Sequence, residues 1–583
     1  MKLAAIALDY DGTIAVNGIM DPSVRSVIGE ARGAGIAVIL ATGRRLGDLA
    51  RAAGDLTCFD AIVAENGSVI HFPSRGRHVL LGYPPNLAFV EELRRRGVVF
   101  ELGECLIEAD ASASGIIIDA IHALEQPLVL TFNRGRVMVL PQAIGKSTGV
   151  RHALATLRIS IHNTLAIGDA ENDHDLLDAC EVGVAVEWGS KGLLAVADEI
   201  VRGPGPPAVS DYVRQLSRGG ELTADHMGRR RLLLGYQHDG QPVTLAVRGR
   251  PVVIAGEPGS GKSWLAGLIC EQLILQGYCV CVIDPEGDYA SLEALPGVVL
   301  LGGDDPPPRA RGLARALRHP DVSVVVDLSK VRHREKMHDM ETLMDVLLRL
   351  RRHTGLPHRI VVDEAHYLLS RKGSAALLES ELRGQTLITY RVSTLAQSIH
   401  LPEEAVVLVT RETDPREVES LRAVCAQPCA AAVSGRTFRD LSINEAALLP
   451  GCEEAHGGIR RFRIARRVTT HVRHRAKYLD MPVTDSQAFV FSDQGRAVAR
   501  AHTLQEFAGL LAALPAHVLE GHLKRHDFSR WIDDVFRDGP LAARLRSLET
   551  TIDTETVADV TADLDQAIRA RYERLSSDLT AVH

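Results

Sequence analysis

Leu3-Ala4-Ala5-Ile6-Ala7-Leu8 runs directly into Asp9-Tyr10-Asp11-Gly12-Thr13. An apolar strand ending in two carboxylates one residue apart puts both at the carboxyl edge of a sheet, where open α/β sheets bind ligands. Gly12 permits the tight turn that follows. Two carboxylates this close cannot both ionise cheaply without a cation, so a Mg²⁺ site is the expected companion. The strand-then-turn form returns at Val252–Ala255, which leads into Gly256-Glu257-Pro258-Gly259-Ser260-Gly261-Lys262-Ser263. Each opening is followed by helical stretches alternating with short β-branched runs, the pattern of parallel α/β sheets. The chain therefore reads as α/β twice over.

Length and composition fit that reading. At about 150 residues per domain, 583 residues imply three or four domains. The chain is 46% hydrophobic and 24% charged, which excludes collagen-like and wholly disordered classes. No membrane span is expected, because no run of about 18 apolar residues is free of charge. Asp9 interrupts the apolar start too early for a signal peptide, so a cytoplasmic location is expected. The nine cysteines form no CxxC knuckle, and Cys425 and Cys429 read as buried small residues rather than half a metal site. With 66 basic against 74 acidic residues the net charge is −8, so a nucleic-acid surface would have to be a local patch.

Outward from Asp9, Ala37–Leu40 reads as a second strand ending in Thr42-Gly43-Arg44. Lys146 follows a Pro-Gln-Ala-Ile-Gly approach, and Leu165–Ile167 reads as a third strand ending in Gly168-Asp169-Ala170-Glu171-Asn172-Asp173. In order and residue type these segments resemble the haloacid-dehalogenase (HAD) superfamily of phosphatases, and Glu65-Asn66-Gly67 resembles its Cof-like branch. The resemblance covers about residues 1–202 and implies a Rossmann-like domain with a small α+β cap at about 73–136. It implies that Asp9 is the nucleophile, that Asp11 is the acid and base, and that Thr42 and Lys146 hold the phosphoryl oxygens. Asp9, the Asp11 carbonyl, Asp169 and Asp173 would organise Mg²⁺, and the substrate would be a small phosphorylated metabolite chosen by the cap. Glu101, Glu104 and Glu108 in the cap read as a solvated face.

The second opening is a complete G-x-x-x-x-G-K-[ST] sequence between a strand and an apolar helix, Trp264–Gln276. Gly256 to Gly261 would face ATP phosphates with backbone N–H groups, Lys262 would reach the β- and γ-phosphates, and Ser263 would ligate Mg²⁺. Arg359–Val362 reads as a strand ending in Asp363-Glu364, giving a metal carboxylate and a base for the attacking water. His366 reads as polar surface. Further strands are expected to end at Asp284, at Asp327 and, for Val392–Leu395, at Ala396-Gln397-Ser398. Across about residues 225–467 these segments resemble the HerA/FtsK class of RecA-like P-loop ATPases. That resemblance implies Gln397 as a sensor, a homo-oligomer with a hexameric ring favoured, and an arginine lent between subunits. Arg411 and then Arg391 are the candidates for it.

Between the two lies Gly203-Pro-Gly-Pro-Pro207, read as a linker over 203–224. Residues 468–583 read as a small, mostly helical module with a terminal helix, where His522, Asp527 and Trp531 serve packing. From Ile459 to Lys477 stand Arg460, Arg461, Arg463, Arg466, Arg467, Arg473, Arg475 and Lys477 without an acid, a tract that reads either as a DNA-phosphate contact or as a solvated face or intersubunit surface. The expected function is two-headed: a Mg²⁺-dependent phosphatase fused to an ATP-hydrolysing motor. The rival readings are a polynucleotide kinase/phosphatase and a nucleotide-gated module regulating the phosphatase.

Overall fold

The computed structural model describes residues 1–222, 229–247, 249–370, 372–424, 435–449, 458–469, 483, 485, 487–493, 495–536, 539–553 and 556–577. The first domain is built on an eight-stranded sheet in the order Glu199–Val201, Val182–Val186, Thr164–Gly168, Ala5–Asp9, Ala37–Ala41, Ala61–Ala64, Val69–Phe72, Arg77–Leu80. The first six strands run parallel, and the hairpin of Val69–Phe72 and Arg77–Leu80 is added through two antiparallel pairings. The strand Ala5–Asp9 lies near the middle and is buried on both faces, which is why it reads as an unbroken apolar run. Ile6 and Leu8 pack with Val24, Val27 and Ile28 of the helix Pro22–Gly33 on one face. Ala5 and Ala7 pack with Val150, Ala153 and Leu154 of the helix Lys146–Leu157 on the other.

Two expected boundaries are corrected. Val69–Phe72 and Arg77–Leu80 belong to the main sheet, so the cap begins after them rather than at residue 73. The cap sheet has the order Leu128–Asn133, Arg136–Pro141, Ile107–Asp110, Phe100–Leu102, so it also runs past residue 136. It is covered by the helices Leu87–Arg95 and Ser114–Ala123, with its own small core around Phe89, Leu93, Ile117 and Val139. The supposed linker contains the helix Pro206–Gly219, with proline in its first turn. Its Val209, Val213 and Leu216 complete the core of the first domain.

The second domain carries an eleven-stranded sheet. Seven parallel strands lie in the order Val406–Val409, Val252–Ala255, Gln385–Thr389, Arg359–Val362, Val280–Asp284, Ser323–Asp327, Val298–Gly302. Beyond Val406–Val409 the antiparallel strands Glu445–Leu448, Arg460–Ile464, Arg231–Tyr236 and Pro242–Ala246 extend the sheet.

These two domains form one compact unit, joined at the amino edges of their sheets. The His162 ring, two residues before the strand Thr164–Gly168, stacks on Tyr278, two residues before Val280–Asp284, with centroids 3.8 Å apart. Glu181 accepts from the Tyr278 hydroxyl at 2.8 Å and lies 2.8 Å from His162 Nδ1. His358, just before Arg359–Val362, takes the Cys279 N–H on Nδ1 at 2.8 Å and faces Asn163 Oδ1 with Nε2 at 3.0 Å. Burial, with His162 nearby, pushes the His358 imidazole well below its ordinary range, so the ring is neutral. Because the sheets meet at their amino edges, their carboxyl edges, with Asp169 on one and Asp363 on the other, lie at the far ends of these strands.

Thr470–His583 together with Glu286–Ser291 makes a second compact unit. Its hairpin Phe489–Asp493 and Arg496–Ala501 packs with helices around Phe507, Phe528 and Trp531. His522 takes the Ser492 N–H at 3.0 Å and faces Asp527 at 2.8 Å, a packing role. Among the described residues no helix is long and apolar enough to cross a membrane. The six described cysteines are free, and Cys425, Cys429 and Cys452 lie outside the described residues.

Candidate active sites

The carboxyl ends of three neighbouring strands, with the start of one helix, bring the first site together. Asp9 ends the central strand, Asp169 follows Thr164–Gly168, and Asp173 lies four residues on in a short 3₁₀ turn. Lys146, the first residue of its helix and 1% exposed, reaches Asp9 Oδ1 at 2.5 Å and Asp173 Oδ1 at 2.6 Å. The other Asp173 oxygen accepts the backbone N–H groups of Asp169 and Ala170, both at 3.0 Å. Ligand oxygens of Asp9, Asp169 and Asp173 lie within 4.8 Å of one another. Burial and the Asp173 carboxylate push the Asp9 carboxyl up to about 7, against the pull of Lys146. Burial alone would lower the Lys146 ammonium, but Asp173 and Asp9 outweigh it and hold it above its ordinary value. Three buried carboxylates against the Lys146 ammonium and the Arg134 guanidinium still leave an excess of negative charge, a donor set that fits a hard oxygen-seeking dication. The Asp11 backbone stands at this same edge.

Thr42 is buried beside this cluster, its backbone N–H bonded to Val63 O at 2.8 Å. Arg44 holds Asp11 with two bonds, Nε to Oδ2 at 2.5 Å and Nη2 to Oδ1 at 2.7 Å. A pocket of about 100 Å³ lies between this floor and the cap, lined among others by Asp9, Asp11, Thr42, Glu108, Asn133 and Arg136. Of the three cap glutamates expected to be solvated, Glu101 and Glu104 are exposed, Glu101 while accepting from Arg45 at 2.5 Å, whereas Glu108 is half-buried and accepts from Arg136 at 2.8 Å. Arg134 at the tip of the cap hairpin pairs with Asp169. Glu65, in the Glu65-Asn66-Gly67 segment, has a role its motif does not reveal. Its two oxygens accept the N–H groups of Glu104 and Cys105, both at 2.9 Å, and clasp the cap to the domain below.

In the second domain Val252–Ala255 leads through the loop Gly256–Gly261 into the helix Lys262–Leu275. Gly259 and Gly261 have φ of 77° and 99°, the left-handed backbone that lets the loop turn its N–H groups inward. Lys262 Nζ donates to the carbonyls of Gly256 and Glu257, both at 2.9 Å, and Ser263 stands next on the helix. Asp363 and Glu364 are buried at the end of Arg359–Val362, two strands across the sheet, and Glu364 has a φ of 47°. His366 is buried against Tyr367 and Tyr390 rather than at the surface. Glu412, which the sequence did not single out, is buried near Lys262, and burial pushes its carboxyl up to about 7.

Gln397 is misplaced by the sequence reading. Val392–Ser398 is a helix, the strand is Gln385–Thr389, and Gln397 is exposed on that helix. The residue ending the strand beside Asp363 is Thr389, fully buried, whose Oγ1 accepts the Arg391 N–H at 2.9 Å. The basic tract is also divided. Arg467 has a fully buried side chain bonded to Glu271 at 2.8 Å on the phosphate-loop helix, so it cannot meet DNA. Arg461 bonds the Asp440 carbonyl at 3.2 Å, Arg463 and Arg466 are exposed, and Arg473, Arg475 and Lys477 lie outside the described residues.

Residues 6–80 and 99–209 match the family model of haloacid dehalogenase-like hydrolases, and residues 234–407 match that of the helicase HerA central domain. The chain joins a HAD phosphatase domain to a HerA-type ATPase domain. The HAD domain is similar to the phosphoglycolate phosphatase of Methanothermobacter thermautotrophicus, 26% identical over 229 residues, covering 36% of this chain and 98% of that protein. It is similar as well to phosphoglycolate phosphatase 2 of Saccharolobus solfataricus, 26% identical over 221 residues, covering 37% and 92%. A solved haloacid dehalogenase-like hydrolase from Bacteroides thetaiotaomicron is 18% identical and covers 37% of this chain and all of that one, with a TM-score of 0.33. The HerA-type match ends at residue 407, within the strand Val406–Val409.

Proposed function

We propose that the HAD domain hydrolyses a small phosphomonoester through a covalent intermediate on Asp9. The observation that carries this is Lys146 bridging Asp9 and Asp173 in one buried cluster with Asp169. Asp9 attacks phosphorus, forming an Oδ–P bond as the bond from phosphorus to the leaving oxygen breaks, and Asp11 gives its proton to that oxygen. Water then attacks the aspartyl-phosphate, its proton passes to Asp11, and the Asp9 Oδ–P bond breaks to release phosphate. Arg44 donates to both Asp11 oxygens in this structure, so Asp11 can carry the proton only once one of those oxygens is released from Arg44. Lys146 and Thr42 hold the phosphoryl oxygens. Asp9, Asp169 and Asp173, with the Asp11 carbonyl, would hold Mg²⁺, which supplies charge neutralisation on the phosphoryl group when bound.

The room above Asp9 limits the substrate. The pocket between Asp9 and the cap is small, about 100 Å³, which favours a compact leaving group over a sugar. Phosphoglycolate, for which the relatives are named, is of that size. A phosphate-release screen of the full chain with Mg²⁺, comparing phosphoglycolate, glycerol phosphate and glucose 6-phosphate, tests this reading. Preference for glucose 6-phosphate would overturn the size argument.

For the second domain we propose ATP hydrolysis with Lys262 on the phosphates, Ser263 and Asp363 holding Mg²⁺, and Glu364 aligning water. The HerA-type match supports a homo-oligomeric ring, which light scattering with ATP measures.

A further inference from the structure

Arg411 stands two residues past the strand Val406–Val409, where the sequence offers it as a contact between neighbouring subunits. That strand pairs in parallel with Val252–Ala255, with Val409 opposite Ala255. The pairing continues beyond the strands into the phosphate loop. Thr410 N donates to Ala255 O at 2.9 Å, and Glu257 N donates to Arg411 O at 2.9 Å. Three side chains then close on the loop. Thr410 Oγ1 lies 2.6 Å from Ser260 Oγ, Thr413 Oγ1 donates to Glu257 Oε2 at 2.7 Å, and Arg411 Nε pairs with Glu257 Oε1. Gly256, at a φ of 148°, has the Thr410 hydroxyl where a Cβ would sit, so the approach requires glycine there.

An arginine that serves a neighbour must extend away from its own phosphate loop, whereas Arg411 is folded back onto it. We propose that Arg411 and Thr413 act within their own chain as a clamp on Glu257, which holds the phosphate loop in shape for ATP. Arg411 is then a positioning residue. The proposal rests on the second domain binding ATP through Gly256–Ser263.

Its electrostatic consequence is specific. Glu257 puts a carboxylate at the mouth of a site for a polyanion, and Arg411 offsets that charge. Loss of Arg411 alone therefore harms ATP binding twice, by loosening the loop and by leaving Glu257 to repel phosphate. Loss of Glu257 as well removes the repulsion. Such contacting pairs are expected to be non-additive.

The test measures ATP affinity by calorimetry and steady-state turnover in the full chain, for Arg411→Ala, Glu257→Gln and the double variant. We expect Arg411→Ala to weaken ATP binding by about tenfold, within the range of coupling between contacting residues. The double variant should recover to within about threefold of wild type. If Arg411→Ala does not fold, Arg411→Lys and Thr413→Val carry the same comparison with smaller effects. Mixing Arg411→Ala with Lys262→Ala chains should give no recovery of turnover. The proposal is overturned if Arg411→Ala keeps wild-type ATP affinity while losing turnover, or if mixing restores turnover, since each marks a group supplied to a neighbouring subunit. It is overturned too if the double variant binds ATP as poorly as the product of the two single effects. If ATP does not bind the wild-type chain at all, the nucleotide-binding reading falls first and takes the clamp with it.

Discussion

Replacing Lys146 with methionine keeps the bulk of the side chain and removes the one ammonium that bridges Asp9 and Asp173. Both partners are almost fully buried, so the loss leaves two carboxylates facing one another without their cation. Removing one partner of a buried pair typically costs about 3–5 kcal/mol. For a domain of some 200 residues that corresponds to roughly 6–20 °C in melting temperature at about 2–4 °C per kcal/mol. The cost should depend on pH in a defined sense. Asp9 already has its carboxyl pushed up to about 7 from an ordinary 3.8. A carboxyl raised on folding favours the folded state below its ordinary value and loses that benefit as pH rises through the raised one. Without Lys146 the raised range extends further, so the defect should be small near pH 5 and largest near pH 8. Phosphate release should fall at least a hundredfold at pH 7, because the nucleophile is protonated and the phosphoryl oxygens lose their cation. Scanning calorimetry of the first unfolding transition at pH 5, 6.5 and 8, without added metal, reads the stability. A melting temperature unchanged or raised at pH 8 would refute the charge argument.

At the junction of the two domains, the depressed His358 imidazole favours the folded state above its ordinary 6.5 and loses that benefit as pH falls toward its lowered value. Protection factors, that is exchange corrected for its intrinsic pH dependence, at the strands entering from Tyr278 and His162 should therefore fall between pH 7 and 5, and His358→Gln should abolish the dependence; equal protection factors at both pH values would contradict it. In the basic tract, Arg467→Ala should destabilise the second domain by about 1–3 kcal/mol, because buried Glu271 loses its cation but keeps the Val468 and Thr469 N–H groups, while Arg463→Ala should be nearly neutral. Thermal melts of the two variants distinguish them, and equal effects would mean that Arg467 is not the buried anchor.

Much of both sites is legible in the sequence because several of the functional residues sit at or just past the end of an apolar strand. Asp9, Asp169, Asp363 and the Gly256–Ser263 loop are all local features, a strand followed by a turn, and need no distant partner to be seen. What the sequence hid were pairings over long separations. Arg467 meets Glu271 196 positions away and Arg411 meets Glu257 154 away, and a charge carries no record of its partner. Local ambiguity accounts for the rest. The Pro206-Pro207 pair reads as a breaker although proline equally opens a helix, and Val209, Val213 and Leu216 at helical spacing carry the signal for that helix. Val392-Ser393-Thr394-Leu395 has the β-branched content of a strand but lies in a helix, because the place beside Arg359–Val362 is taken by Gln385–Thr389. The Val69–Phe72 and Arg77–Leu80 hairpin looks like cap in composition, and only its pairing with Ala61–Ala64 assigns it to the main sheet.

The central claim is that the chain holds two separate hydrolytic sites, one at Asp9 and one at Lys262. It is tested most directly by measuring phosphomonoester hydrolysis and ATP turnover side by side in wild type, Asp9→Asn and Lys262→Ala. Asp9→Asn should lose phosphomonoester hydrolysis and keep ATP turnover near wild type, and Lys262→Ala should do the reverse. Phosphomonoester hydrolysis at the wild-type rate in Asp9→Asn would contradict the account.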